Sequence, residues 1–318
     1  MIISASRRTD IPNYYAQWFL KRLQQKYVLV RNPLNRQQVA RVELGPEVVD
    51  CIVFWTKNPE PLMAYLSSLR DYCYYFHFTL NPYEKDIEPN VPPLTKRVET
   101  FKRLAAILGA SRVVWRYDPI LFNEKYTEEF HLYSFAFLAE QLKDSTEKCV
   151  ISFLNFYNKI SANVKALGIK PPEAGQKCSL AVNLLQIARG YGLQLESCAE
   201  NLELSAWGLG RAKCIDAELI ARIGGYSLQV GKDKNQRPEC GCVESIDIGA
   251  YNICLNGCKY CYANYSPASV RRNVQDYCVS SPLLCSRILP ADSVYRREVK
   301  SLKKTQLTLF PEKFPENG

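Results

Sequence analysis

Short runs of β-branched and aromatic residues alternate with helix-patterned stretches along most of the chain. This alternation limits the fold more than any single motif does. Strand-like runs fall at residues 2–6, 51–56, 74–80, 112–117, 148–154 and 193–198, with weaker ones at 226–230 and 243–248. Between them, helical periodicity covers 14–25, 61–69, 94–108, 127–142, 176–191 and 216–223. Strands separated by helices of this length argue for βαβ units and a parallel sheet. With up to eight strands and neither a G-x-G-x-x-G nor a Walker motif, a (β/α) barrel, full or partial and TIM-like, is favoured over a doubly wound sheet. The body is expected to span residues 1–281 as one unit, followed by a basic, partly helical tail over 282–318.

Polar residues follow many of the strand runs, where barrel enzymes carry their working groups. They include Ser6 to Asp10, Thr56-Lys57-Asn58, Thr79, Asn81, Asp118, Asn155, and Ser197-Cys198. Arg116 and Glu196 interrupt apolar strands instead of following them. Arg8, Lys57, Arg116, Asp118 and Glu196 are therefore the candidates for lining a pocket. The alternative for each is a polar turn, or a buried ion pair that braces the fold.

Thirteen cysteines and only two histidines, His77 and His131, shape the metal chemistry. The chain has no apolar run near the roughly 20 residues that span a bilayer. Its first residues also lack a secretory signal pattern, so the cytoplasm is the expected compartment and no membrane the expectation. A reducing compartment disfavours disulfides, which leaves thiolate ligation of zinc or iron–sulfur clusters and buried free thiols. Cys254-x3-Cys258-x2-Cys261 places three thiolates on one tight loop, with Gly257 easing the turn. Three thiolates hold three corners of a 4Fe–4S cube and leave the fourth iron open to an outside ligand. Cys198, Cys214, Cys240 and Cys242 form a second set, whose number suits a second iron–sulfur cluster or a zinc ion, with unliganded thiols as the third reading. Cys51, Cys73, Cys149 and Cys178 sit in apolar sequence and read as core, whereas Cys278 and Cys285 take no assignment.

The C-x3-C-x2-C spacing with an aromatic residue, Tyr260, before the last cysteine resembles the cluster loop of radical S-adenosylmethionine enzymes. The "YCYAN" ending is similar to that of spore photoproduct lyase. The stretches "MIISASRRTDIP", "VDCIVFWTKNP", "WRYDPI" and "CGCVESIDIGAYN" resemble an uncharacterised bacterial family, a domain of unknown function with such a cluster near its C-terminus. The resemblance implies that Cys254, Cys258 and Cys261 bind a 4Fe–4S cluster and that S-adenosyl-L-methionine chelates the open iron. One electron then releases a 5′-deoxyadenosyl radical, and the Tyr260 backbone lies near the adenine. A reductase or other electron donor is implied as a partner.

In that superfamily the cluster loop follows the first strand, but here it follows the last strand run, 243–248. A circular permutation reconciles the two, because neighbours in a barrel do not depend on where the chain starts. On this reading residues 243–248 pair beside 2–6, and residues 262–275 form the first helix. Ser6 and Asp10 then fall where relatives carry a glycine-rich cofactor-binding motif, whose glycines are absent here.

The formal charge of +9 is compatible with a nucleic-acid substrate. Gln306 to Phe310, "QLTLF", follows a basic run and resembles the peptides that bacterial repair and replication proteins dock into the sliding clamp. The expected function is a radical S-adenosylmethionine enzyme acting on nucleic acid in repair or modification. The alternatives are a nucleic-acid-binding protein stabilised by zinc or an iron–sulfur cluster, without S-adenosylmethionine cleavage, and an iron–sulfur electron-transfer protein.

Overall fold

The computed structural model describes residues 1–198, 200 and 208–304. Its first half runs β1 (Ile2–Ala5), α1 (Ile11–Tyr14), α2 (Ala16–Gln24), β2 (Tyr27–Arg31), β3 (Gln38–Glu43), β4 (Cys51–Thr56), α3 (Glu60–Met63), β5 (Tyr74–Thr79), α4 (Leu94–Leu108) and β6 (Val113–Ile120). The second half continues α5 (Glu128–Leu142), β7 (Lys148–Phe153), α6 (Ser161–Ala166), α7 (Ala174–Gly190), β8 (Gln194–Ser197), β9 (Gly210–Arg211), α8 (Ala217–Gly224), β10 (Ile246–Asp247), α9 (Pro267–Val274) and β11 (Ser293–Arg296).

Eight strands form one sheet in the order β10-β1-β4-β5-β6-β7-β8-β9, and every pairing in it is parallel. The architecture is therefore α/β around a large parallel sheet. Among the described residues no pairing joins β9 to β10, so the sheet is not the closed TIM-like barrel that the sequence leaves as one option. Both end strands are two residues long, too short to carry a closing ladder.

The central strands are buried on both faces, as their unbroken apolar runs require. Alternate side chains divide the core. Ile3, Phe54, Phe76, Trp115 and Ile151 pack with Phe19 of α2, Phe101 of α4, Phe135 of α5 and Leu184 of α7. Their neighbours Ile2, Val53, Tyr75, Val114 and Val150 face the other way, against Leu219 and Ile220 of α8 and the segments that carry Cys214, Cys240 and Cys242. The four long helices thus share one face, and the second cysteine set covers the other.

Six strand runs and the helix at Leu94–Leu108 stand where the sequence places them. The 226–230 run is not a sheet strand: Leu228 makes one isolated bridge to Lys303. The helical pattern at 14–25 is split at Tyr15, whose φ of −131° is not helical. That at 61–69 breaks into α3 and a 3-10 turn, Leu66–Leu69. The β2–β3 hairpin escapes the sequence reading because charged and amide residues interrupt its alternation. Residues 282–304 contain the strand β11, paired with β3, and no helix, against the expectation of a partly helical tail. Gln306 to Phe310 lie outside the described residues. No helix among the described residues is long and apolar enough to cross a membrane.

Asp50 holds the segment after β11 to the body. Its carboxylate accepts from Ser301 Oγ at 2.6 Å, Leu302 N at 2.7 Å and the Met1 amine at 2.5 Å. Asp50→Ala takes the acceptor from Ser301 and Leu302 and the countercharge from the Met1 amine, which keeps Val48 O and Lys300 O, so we expect a loss of about 1–3 kcal/mol in urea unfolding. Faster hydrogen exchange at residues 300–304 is the accompanying expectation.

A cysteine-lined cavity at the strand ends

The C-terminal ends of β1, β4, β5, β6, β7 and β8 open into one cavity of about 310 Å³. Ligand sites of parallel α/β sheets lie at this edge, where loops diverge from the strands. The cavity is lined by both cysteine sets, Cys254, Cys258 and Cys261 with Cys198, Cys214, Cys240 and Cys242. Ser6, Arg8, Asp10, Lys57, Arg116, Asp118 and Tyr260 line it too. Glu196 does not; it pairs with Lys148 at 3.2 Å, the bracing role weighed for it from sequence.

The three-cysteine loop reaches this cavity because β10 pairs with β1, Ile3 opposite Ile246 and Ser4 opposite Asp247. Residues 243–248 thus pair beside residues 2–6. Asp247 fixes the junction: it accepts from Ser4 Oγ and Ser6 Oγ at 2.7 Å each, and from Arg7 N at 2.9 Å.

Three asparagines set the loop's shape. Asn264 Oδ1 accepts from Ile253 N and Cys254 N at 2.8 Å each, while its Nδ2 donates to Arg8 O at 2.8 Å. Asn256 donates to Asp10 Oδ2 at 3.0 Å and accepts from Tyr14 Oη at 3.0 Å. Asn90 Nδ2 donates to Leu255 O at 2.7 Å. Gly257 has φ of +69°, and a Cβ there would meet Pro89 and Asn90 at 3.1 Å, so both conformation and space call for glycine. Burial pushes the Cys254 thiol up to about 12 and the Cys258 thiol well above its usual range.

Asp10 is buried, and burial raises its pKa. Its oxygens accept from Lys57 N at 2.9 Å and from Asn13 N at 3.2 Å, besides Asn256. Ser6 is taken by Asp247. Both residues thus brace the loop from the N-terminal side. Arg8 places its guanidinium 5.0 Å from the Tyr251 ring centroid.

Beside the loop, Glu88 collects Lys57 Nζ at 2.7 Å, Arg97 Nη1 at 3.6 Å and the Tyr260 hydroxyl. Burial favours its neutral form, but Lys57 and Arg97 outweigh that and hold its pKa below the ordinary value. Arg116 bridges Asp118 Oδ2 at 2.6 Å and Cys214 Sγ at 2.9 Å. Cys198 Sγ and Cys214 Sγ lie 3.4 Å apart, and Ile215 N donates to Cys242 Sγ at 3.4 Å. Among the described residues, no group of three His, Cys, Asp or Glu side chains is arranged to hold a single metal ion.

Glu88, Asp247 and the asparagines are absent from the sequence candidates. Asn256 lies between the cysteines, with Asn252 and Asn264 on either side of the set, a legible signal for a braced loop. Glu88, in a proline-rich loop, gives none.

An α/β protein with a parallel sheet and a thiol-lined cavity at its strand ends is the class that these features define. The chain belongs to the family described as Domain of unknown function (DUF1848), which matches residues 2–263, a span that includes both cysteine sets. No curated protein matches the chain.

Glu88→Gln strips the countercharge from two buried cations, so we expect a loss of about 3–5 kcal/mol at neutral pH. A carboxylate with a depressed folded pKa stabilises fully above its unfolded value, and that stability is lost as pH falls through the folded one. Chemical denaturation from pH 7 to 3 should therefore show the gap between wild type and variant narrowing below about pH 4.5.

Proposed function

We propose that this chain is a radical S-adenosylmethionine enzyme in which Cys254, Cys258 and Cys261 hold a 4Fe–4S cluster. The observation that carries the reading is the β10–β1 pairing, which brings a C-terminal C-x3-C-x2-C loop to the strand-end cavity as a permuted superfamily member requires. On the same reading the sheet is a partial (β/α) barrel, supported by four long helices on one of its faces.

The donor set fits the group. Three thiols on one braced loop line the cavity, and a 4Fe–4S cube takes its protein ligands from cysteine thiolates of this kind. Buried thiols resist ionising, so thiolates form there only with compensating positive charge, which bound iron provides. When bound, the cluster supplies the electron that splits S-adenosylmethionine into methionine and a 5′-deoxyadenosyl radical. The protein's share is positional. Asn264 fixes the Cys254 backbone, Asn256 and Asp10 tie the loop to β1 and β4, and Glu88 holds Tyr260 and Lys57 in place. Arg8 and Arg237 add positive charge to the cavity wall beyond Lys57 and Arg116, which Glu88 and Asp118 pair. With the net charge of +9, this supports a polyanionic substrate such as a nucleic acid.

Anaerobically reconstituted, reduced protein given S-adenosylmethionine should form 5′-deoxyadenosine, and Cys258→Ala should abolish it. No cleavage by wild type with a full, reduced cluster would instead favour a binding or electron-transfer protein. Asn256→Ala should keep the fold but lower iron retention several-fold, measured as iron per chain after desalting.

A further inference from the structure

Cys198, Cys214, Cys240 and Cys242 take no part in the cluster loop, yet they meet on the same cavity. They come from separate segments: the end of β8, the stretch between β9 and α8, and the loop before β10. Cys198 touches Cys214 at 3.4 Å, and Ile215 N, the amide next to Cys214, donates to Cys242 Sγ at 3.4 Å. Buried structural cysteines behave as small apolar residues and need no charged neighbour. These four have two.

Arg116 donates to Cys214 Sγ at 2.9 Å. Arg7 holds its guanidinium 5.2 Å from the Trp55 ring centroid, within electrostatic reach of Cys242, Cys214 and Cys240. Arg7 Nη2 is buried without a hydrogen-bond partner, and Asp233 Oδ2 is 3.9 Å from Nη1. A buried, unsatisfied guanidinium nitrogen near three of these thiols is costly as it stands. An anionic tetrathiolate centre would give it a partner.

We propose that Cys198, Cys214, Cys240 and Cys242 ligate a second iron–sulfur cluster that faces the cavity, with Arg7 and Arg116 compensating its negative charge. Four protein thiolates close the site, unlike the three-cysteine loop. Iron–sulfur is favoured over zinc because the thiols pair two and two, Cys198 with Cys214 at 3.4 Å and Cys240 with Cys242 one residue apart in the chain, as the two irons of a 2Fe–2S cluster would take them. Loading requires Cys198 to turn away from Cys214. Its half-buried position at the end of β8 leaves that rotation open.

The proposal goes beyond the first cluster and is tested without it. The variant carrying Cys254→Ala, Cys258→Ala and Cys261→Ala is reconstituted anaerobically with iron and sulfide, and its fold is checked by circular dichroism. It should retain equal iron and acid-labile sulfide, about two to four of each per chain. Adding Cys240→Ser and Cys242→Ser should remove both, and Arg7→Leu should lower retention against a chelator several-fold. Zinc bound without sulfide would overturn the proposal. So would a folded triple variant that binds no iron, whatever wild type does at the first loop. Iron in the triple variant but no S-adenosylmethionine cleavage by wild type would sink the enzyme reading and leave this one standing.

Discussion

The pairing of β10 with β1 is the contact on which the rest of the cavity depends. It is short, only two registered residue pairs, and its strength lies in side chains rather than in the ladder. Asp247 collects two hydroxyls and a backbone amide from residues 4 to 7. Charge-assisted bonds of this kind are stronger than neutral ones, and they fix the strand's register as well as its place. Once Asp247 is seated, Asn256 and Asn264 can reach Asp10 and Arg8. The cysteine loop is then tied to β1 along its length.

The residues around the cavity also show how several buried cations are distributed over separate acceptors. Lys57 and Arg97 share Glu88, while Arg116 and Arg7 lean toward thiols. Arg116 also holds Asp118 at 2.6 Å, so the loss of Glu88 would strand Lys57 and Arg97, whereas the loss of the thiol would leave Arg116 a carboxylate. His77 adds no charge: burial lowers its pKa to about 3, so the ring stays neutral and donates from Nε2 to Cys214 O at 2.6 Å.

Much of this was legible in the sequence, for identifiable reasons. The apolar runs at 51–56 and 74–80 bury both faces, which only a central parallel strand requires, so their type and place were plain. The adjacency of β1 and β10 followed from the cysteine spacing and a closed-ring argument, even though no pairing closes the ring among the described residues. Arg116 stood out because a charge within an apolar strand needs a partner. Glu196 stood out for the same reason, but its partner is Lys148 on the neighbouring strand, and no local pattern separates a bracing pair from a cavity group. The β2–β3–β11 sheet was hidden because one of its pairings joins Gln38–Glu43 to residues near 295, and such long-range pairing leaves no periodic trace.

The β10–β1 junction also fixes the order in which the molecule can be completed. Ser4 and Asp247 are separated by 243 positions, and contacts of that span form only after the intervening chain is available. During synthesis the first strand waits at an open sheet edge while the sheet's other members are made. The thiols of the cysteine loop remain outside any cavity until then. The three-cysteine loop is thereby among the last parts of the cavity wall to be set, coupled to closing that edge.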